Sequence, residues 1–222
     1  MVTIPSFKNP ALLTKALTHR SAMNEKISES DESNERLEFL GDAVLELCTT
    51  KFLYSTLPNE PEGVMTAYRS ALVKTGTLAE LASEMELGKQ LFMSKGEEVG
   101  GGRTNISLLA DALEAVLGAL YLDQGFDVVY DFLAEILFPK FEYIKEHGLH
   151  RDYKSTFQET VQAKGLSTPN YKVVSEEGPD HEKIFTVGAW VDDKMYAQAT
   201  GSSKQRAEQA AARLALENFD RK

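Results

Sequence analysis

Three carboxylates, Glu35, Glu38 and Asp42, fall at i, i+3 and i+7 in the run Glu35-Arg-Leu-Glu38-Phe-Leu-Gly-Asp42-Ala-Val-Leu45. At about 100° per residue this spacing puts all three on one side of a helix, with Leu37, Leu40 and Val44 on another. Gly41, beside Asp42, leaves room for close approach by another backbone or a ligand. A second pair, Asp111 and Glu114, stands at i, i+3 inside Leu108–Tyr121, a stretch otherwise apolar nearly all round. A helix of that composition is buried, and buried carboxylates are seldom left unpaired. Acids in general are most often plain solvated charges; that reading suits Glu35 as well as any other and suits Asp111 and Glu114 poorly. If the two segments converge, four like charges repel at reduced dielectric, and only cations relieve the cost. Lys and Arg are scarce beside Asp111 and Glu114, and hard oxygen ligands suit Mg²⁺, with Mn²⁺ a plausible substitute. Two divalent ions on four carboxylates would present a positive centre to phosphate.

The elements that must position these acids are helical. Apolar stripes at helical spacing run through Leu12, Ala16 and Leu17, through Leu37, Leu40, Val44, Leu45 and Leu47, and through Met65, Tyr68, Leu72 and Val73. Leu78, Leu81, Ala82 and Met85 continue the pattern, and Leu108–Leu122 and Val128–Phe141 add two more stretches. Breaks are expected at Asn59–Gly63, at Gly88, at Gly96–Gly102 (read as a mobile connection) and at Asp123–Gly125. Asn9 to about Ile144 is therefore an all-α domain. Beyond Glu146–His150 the texture changes. Tyr153–Lys164 reads as a short helix with Phe157 and Val161 on one face, and Tyr171–Glu177, Lys183–Val191 and Lys194–Thr200 alternate as strands. A last helix over Ser203–Asn218 turns Ala207, Ala210, Ala211 and Leu214 inward. The fold class is α+β overall: an all-α N-terminal domain over 1–147, a linker at 148–151, and a small α-β-β-β-α domain over 152–222.

The 222 residues are 42% hydrophobic and 26% charged, enough for one or two packed cores and unlike a disordered chain. The net charge of −10 is uneven: residues 1–150 hold 13 Lys+Arg against 23 Asp+Glu, residues 151–222 hold 11 against 11. Acidity of the whole does not exclude a polyanionic substrate, because binding depends on local patches. One cysteine, Cys48, excludes an internal disulfide or a cysteine-rich zinc cluster, and the four histidines show no ligand spacing. Cys48 reads as core, and His19 has no visible nucleophile or base partner. No segment has the apolar length of a signal peptide or a membrane span, so a cytoplasmic protein without membrane or organic cofactor is expected.

Asn34-Glu-Arg-Leu-Glu-Phe-Leu-Gly-Asp-Ala-Val-Leu45 resembles, nearly letter for letter, the signature helix of the ribonuclease III family. Ala16-Leu-Thr-His-Arg-Ser21, Glu62-Gly63 ahead of Arg69–Val73, and Asp111-Ala-Leu-Glu-Ala115 are similar to further family stretches in the same order. The C-terminal third resembles the double-stranded-RNA-binding domain of bacterial members, so the likeness spans about residues 9–219. It implies an endonuclease that hydrolyses double-stranded RNA with Mg²⁺, leaving 5′-phosphate and 3′-hydroxyl ends with short 3′ overhangs, in rRNA and mRNA processing. It carries the four metal-site acids onto Glu38, Asp42, Asp111 and Glu114, to which metal chemistry adds the expectation that Asp42 and Glu114 ligate the most essential metal directly, with Glu38 and Asp111 completing or orienting the site. It gives Glu35 and Glu62 secondary or dimer-linked roles and implies a homodimer through the signature helix. In the second domain it implies RNA contacts at Ser155, Gln158 and Gln162 and in the hairpin loop at Pro179, Asp180 and His181, beside a phosphate contact expected at Ser203 and Lys204. The helix opening at Ser203-Lys204 offers free N–H groups, a favourable dipole and a cation to phosphate. Where the family usually has a second basic residue, this chain has Gln205, so weaker RNA affinity and a modest salt slope are expected. Two other readings stay open: a double-stranded-RNA-binding protein that does not cut, and a dimeric metal-dependent phosphohydrolase for small molecules.

Overall fold

The computed structural model describes residues 3–179 and 182–220, so Asp180 and His181 lie outside the described residues. Two compact units divide between His150 and Arg151. The first contains α1 (Pro10–Ala16), α2 (Arg20–Glu25), α3 (Glu35–Thr56), α4 (Glu62–Leu72), α5 (Thr75–Glu84) and α6 (Leu87–Gln90). After these come α7 (Lys95–Val99), a 3₁₀ turn (Gly102–Thr104), α8 (Ile106–Gln124), α9 (Phe126–Ile136) and α10 (Lys140–Glu146).

α8 is the axis of this unit. Its start is set by Asn105, whose Oδ1 accepts the N–H groups of Ser107 (2.9 Å) and Leu108 (3.2 Å), two of the donors a helix otherwise leaves unsatisfied. Leu113, Leu117 and Leu120 are fully buried, each contributing roughly 2 kcal/mol. The helix packs against α1, α3, α5 and α9, which is why its sequence is apolar nearly all round. On α3 the buried line is Leu37, Gly41, Val44, Leu45, Cys48 and Leu53. Leu47, expected with the inward stripe, is 57% exposed, because it lies beyond the arc that α8 covers. Burial pushes the Cys48 thiol up to about 11, so this cysteine is an inert part of the core.

Two expected breaks take a more definite form. Gly88 sits inside the short α6, where the Arg103 carbonyl lies so close that a Cβ would be 2.0 Å from it. Gly96–Gly102 holds α7 and runs into the 3₁₀ turn. The Arg103 guanidinium ties this region down by donating to the carbonyls of Gly88, Lys89 and Leu91 and to Glu98.

The second unit contains α11 (Tyr153–Ala163), β1 (Asn170–Glu177), β2 (Ile184–Val191), β3 (Lys194–Gly201) and α12 (Lys204–Asp220). The strands form an antiparallel sheet in the order β1-β2-β3, with Val173 opposite Val187 and Ala189 opposite Ala197. Phe157, Val161, Ala189, Val191, Ala211, Ala212, Ala215 and Phe219 make its core. The inward line of α12 is thus Ala207, Ala211, Ala215 and Phe219, whereas Ala210 and Leu214 are half-buried. Spacings of four residues keep those side chains over β3 and β2. Among the described residues no helix is long and apolar enough to cross a membrane.

Candidate active site

The acids meet because two glycines let two helices touch. A Cβ on Gly41 of α3 would lie 1.7 Å from the Glu114 carbonyl oxygen of α8, and one on Gly118 would lie 2.2 Å from the Leu37 carbonyl oxygen. Backbone therefore rests on backbone at this crossing, a packing open only to glycine on both sides. Glu38 lies one turn before Gly41, and Glu114 one turn before Gly118. The crossing brings carboxylate oxygens of Glu38, Asp111 and Glu114 within 4.8 Å of one another. Asp42 is exposed and is not a member of that close trio, yet its charge acts on both Glu114 and Glu38.

Electrostatically the cluster is strained. Burial pushes the Glu114 carboxyl up to about 7, with further upward pressure from Asp42, Asp111 and Glu38 in that order. Glu38 is raised by burial first, then by Asp111, Glu35 and Asp42. Asp111 is raised by burial, with His19 acting in the opposite sense. Among the described residues none of the four acids takes part in a salt bridge or a side-chain hydrogen bond, so apart from the influence of His19 on Asp111 no protein cation offsets the repulsion. Three oxygens so spaced enclose a point at most about 2.8 Å from each, close to the ~2.1 Å bonds of Mg²⁺ and the ~2.4 Å bonds of Ca²⁺. The donor set, all oxygen and all anionic, fits a hard divalent cation.

A cleft of about 260 Å³ opens beside the trio, walled by His19, Arg20, Asn34, Glu35, Glu38 and Asp111 with Leu91 and Leu108. Glu35 is therefore at the site, with Arg20 at 3.7 Å and the Ser33 hydroxyl donating to it at 2.9 Å. His19 is a site residue that local sequence did not reveal. Its backbone N–H donates to Phe92, and the adjacent Thr18 carbonyl accepts from Asn34, so the segment is fixed between distant parts of the chain. The Ser94 N–H donates to Ser21 Oγ, which stands 2.8 Å from His19 Nδ1, and Nδ1 also accepts the Ser21 N–H. With Nδ1 accepting, the neutral ring carries its hydrogen on Nε2. Gly118 was also missed; a glycine in the middle of an apolar helix was the available signal. Glu62 lies elsewhere, in a groove with Leu53, Tyr54, Met65 and Arg69, where it accepts from the Thr66 hydroxyl at 3.0 Å.

In the second unit Ser155 and Gln158 are exposed on α11 and line a depression of about 450 Å³ with Asp152, Tyr171, Gln205 and Gln209. Asp152 caps α11, accepting from the Ser155 hydroxyl at 2.7 Å and from Gln209 at 3.0 Å. Gln162 donates to Thr168 at 3.1 Å, and Pro179 is exposed beside the hairpin loop. Ser203 Oγ accepts the Arg206 N–H at 3.2 Å, which leaves Lys204 at the exposed start of α12.

Residues 9–141 match the family described as Ribonuclease-III-like, and residues 153–219 match the double-stranded RNA binding motif. The chain belongs to the ribonuclease III family. A protein named Ribonuclease 3 from Pelotomaculum thermopropionicum is 46% identical over 215 residues, covering 97% of this chain and 89% of that relative. A nuclease domain of ribonuclease III from Campylobacter jejuni, described for flexibility in a region involved in dimer formation, is 39% identical with a TM-score of 0.55. It covers 60% of this chain and 92% of its own. Dicer from Pichia stipitis is 28% identical with a TM-score of 0.50, over 97% of each chain. This family member is a ribonuclease III-type endonuclease: a mostly helical nuclease domain followed by a small double-stranded-RNA-binding domain.

Proposed function

We propose that this endonuclease hydrolyses phosphodiester bonds of duplex RNA with Mg²⁺ held by Glu38, Asp42, Asp111 and Glu114. The observation that carries the reading is the convergence of three carboxylates across the Gly41–Gly118 crossing with no cationic side chain among them. Bound there, the ion supplies positive charge to the phosphate and activates water for hydrolysis. Asp42 and Glu114 ligate the most essential metal directly; Glu38 and Asp111 complete or orient its shell. Glu114, raised toward neutrality without a metal, is drawn to its charged form by a divalent cation, so binding the ion releases protons. Arg20 and His19 add polar side chains to the wall of the cleft.

The active form is a homodimer seated on α3, and the support is an exposed apolar face. Phe39, Leu47 and Tyr54 are 82%, 57% and 72% exposed and fall within about 80° of one another around the helix. This face adjoins the acidic one, so a partner on it borders the metal site near Glu35, while Glu62 lies in the groove beside Tyr54, at the other end of the same exposed face. Two sites, one per strand, then cut duplex RNA to 5′-phosphate and 3′-hydroxyl ends with short 3′ overhangs, as rRNA and mRNA precursor processing requires. In this reading residues 1–147 are the nuclease domain, and residues 152–222 grip the A-form backbone and 2′-hydroxyls. The gripping residues are Ser155, Gln158 and Gln162, the loop Pro179, Asp180 and His181, and Ser203 with Lys204.

Incubating the full chain with a long duplex RNA, with and without Mg²⁺, tests the reading. Discrete short duplexes are expected only with the metal. Bound but intact RNA in Mg²⁺ would favour a binding protein that does not cut.

A further inference from the structure

Lys204, which opens α12, is already occupied. Its Nζ lies 3.0 Å from Glu176 Oε1 and 5.4 Å from the centre of the Phe185 ring. Glu176 and Phe185 are cross-strand partners near one end of the β1–β2 ladder, so a single register position holds both groups that Lys204 touches. The other oxygen of the same carboxylate, Oε2, is 3.5 Å from Lys183 Nζ. One acid thus faces two cations, at the turn end of the hairpin and at the start of the helix assigned to phosphate. The Lys204 hydrogen bond, more than any other influence, holds the Glu176 carboxyl below the usual range, so it stays ionised near neutral pH.

We propose that Glu176 is an internal competitor of RNA phosphate for Lys204, setting the affinity and salt response of the RNA-binding domain. The inference rests on the reading of residues 152–222 as a duplex-RNA-binding domain, and on Lys204 as its phosphate contact. Glu176 and Lys204 are both well exposed, and ion pairs of that kind add little to stability, so the fold does not depend on this one. A phosphate oxygen bound to the same Nζ, by contrast, comes within about 6 Å of the carboxylate, inside the ~8–10 Å screening length. The two anions repel there, and Gln205, uncharged, supplies no compensating cation. Glu176 and Gln205 together make the start of α12 a weaker anion site than its helix geometry permits.

Glu176→Gln removes the charge and keeps the shape. Binding of the full chain to a duplex RNA of about 20 base pairs, longer than the ~16 such a domain spans, is measured in EDTA over a salt series. The expected result is affinity about three- to tenfold tighter at low salt, with a log K against log salt slope steeper by up to about one unit. In a Lys204→Ala background the gain disappears. Thermal melting checks that Glu176→Gln folds, and Glu176→Ala repeats the comparison if it does not. Unchanged or weaker binding by folded Glu176→Gln, or a gain that survives Lys204→Ala, overturns the inference. If Lys204→Ala weakens binding while Glu176→Gln does not strengthen it, the RNA-binding reading stands and only the competitor role falls. If the folded wild-type chain binds no duplex RNA at any salt, both fall.

Discussion

Replacing Gly41 by Ala tests the geometry on which the metal site depends. The new Cβ would stand 1.7 Å from the Glu114 carbonyl oxygen, where ordinary contact begins at 3.4 Å, so α3 and α8 must part by about 1.7 Å (3.4 − 1.7). The obstacle is main chain in the interior of a buried helix and cannot rotate aside. Overpacking of this kind costs typically ~1–3 kcal/mol, and main chain against main chain belongs at the upper end, a large share of an ordinary domain's ~5–15 kcal/mol. The same displacement carries Glu38 away from Asp111 and Glu114, and misplacing catalytic groups by about 1 Å costs on the order of a hundredfold in rate. Urea unfolding in EDTA and Mg²⁺-dependent duplex cleavage are measured side by side, with Gly63→Ala as the control. A Cβ at Gly63 meets nothing within 4 Å, so that variant is expected to be as stable as wild type or more so, by up to about 1 kcal/mol. If Gly41→Ala does not accumulate as folded protein, Gly118→Ala, whose smaller overlap is 1.2 Å (3.4 − 2.2), gives the graded comparison. A Gly41→Ala protein within about 0.5 kcal/mol of wild type and cleaving at the wild-type rate would show the account of the crossing to be wrong.

Glu114→Gln is expected to lose cleavage by well over about a hundredfold while still shifting duplex RNA in a gel; substantial Mg²⁺-dependent cutting by the pure variant would refute the ligand assignment. The metal-free protein should also lose stability with rising pH. The raised Glu114 carboxyl contributes fully below its ordinary value of 4.5, and that contribution is lost as pH rises through about 7. With the partial solvent access of this side chain the change is about 1 kcal/mol rather than the ~3 kcal/mol of an unscreened shift. Urea midpoints in EDTA should show it, and Glu114→Gln should flatten it. Phe39→Ser, which removes an exposed ring worth about 2 kcal/mol if buried at an interface, should move the protein from dimer to monomer in sedimentation. Lys204→Ala should weaken duplex-RNA binding and make the salt slope shallower, by less than the roughly one unit of a full phosphate contact.

Much of this was legible in the sequence, and the limits follow physical lines. Helices and strands were readable because burial imposes a period, and the isolated charges of Asp111 and Glu114 stood out against an apolar helix. Errors came where a third element decides. Leu47 has the spacing of a core residue, but in the folded chain it stays 57% exposed. The Gly96–Gly102 run has the composition of a loose loop, but one arginine collects the carbonyls around it. His19 showed no catalytic partner in its own segment; its ring meets only Ser21 there, and the segment is fixed from outside by Phe92 and, through Ser21, by Ser94.

The chain's own order of residues determined the helical and strand segments, the change of texture near residue 150 and the placing of acids at i, i+3 and i+7, since each of these depends on neighbours a few positions away. Only the tertiary structure decided that Glu38, Asp111 and Glu114 share one site, that Asp42 borders it from a more open position, and that Glu176 holds Lys204. Those facts depend on how closely distant backbones can approach. At the centre that distance is set by the absence of two β-carbons, at Gly41 and Gly118.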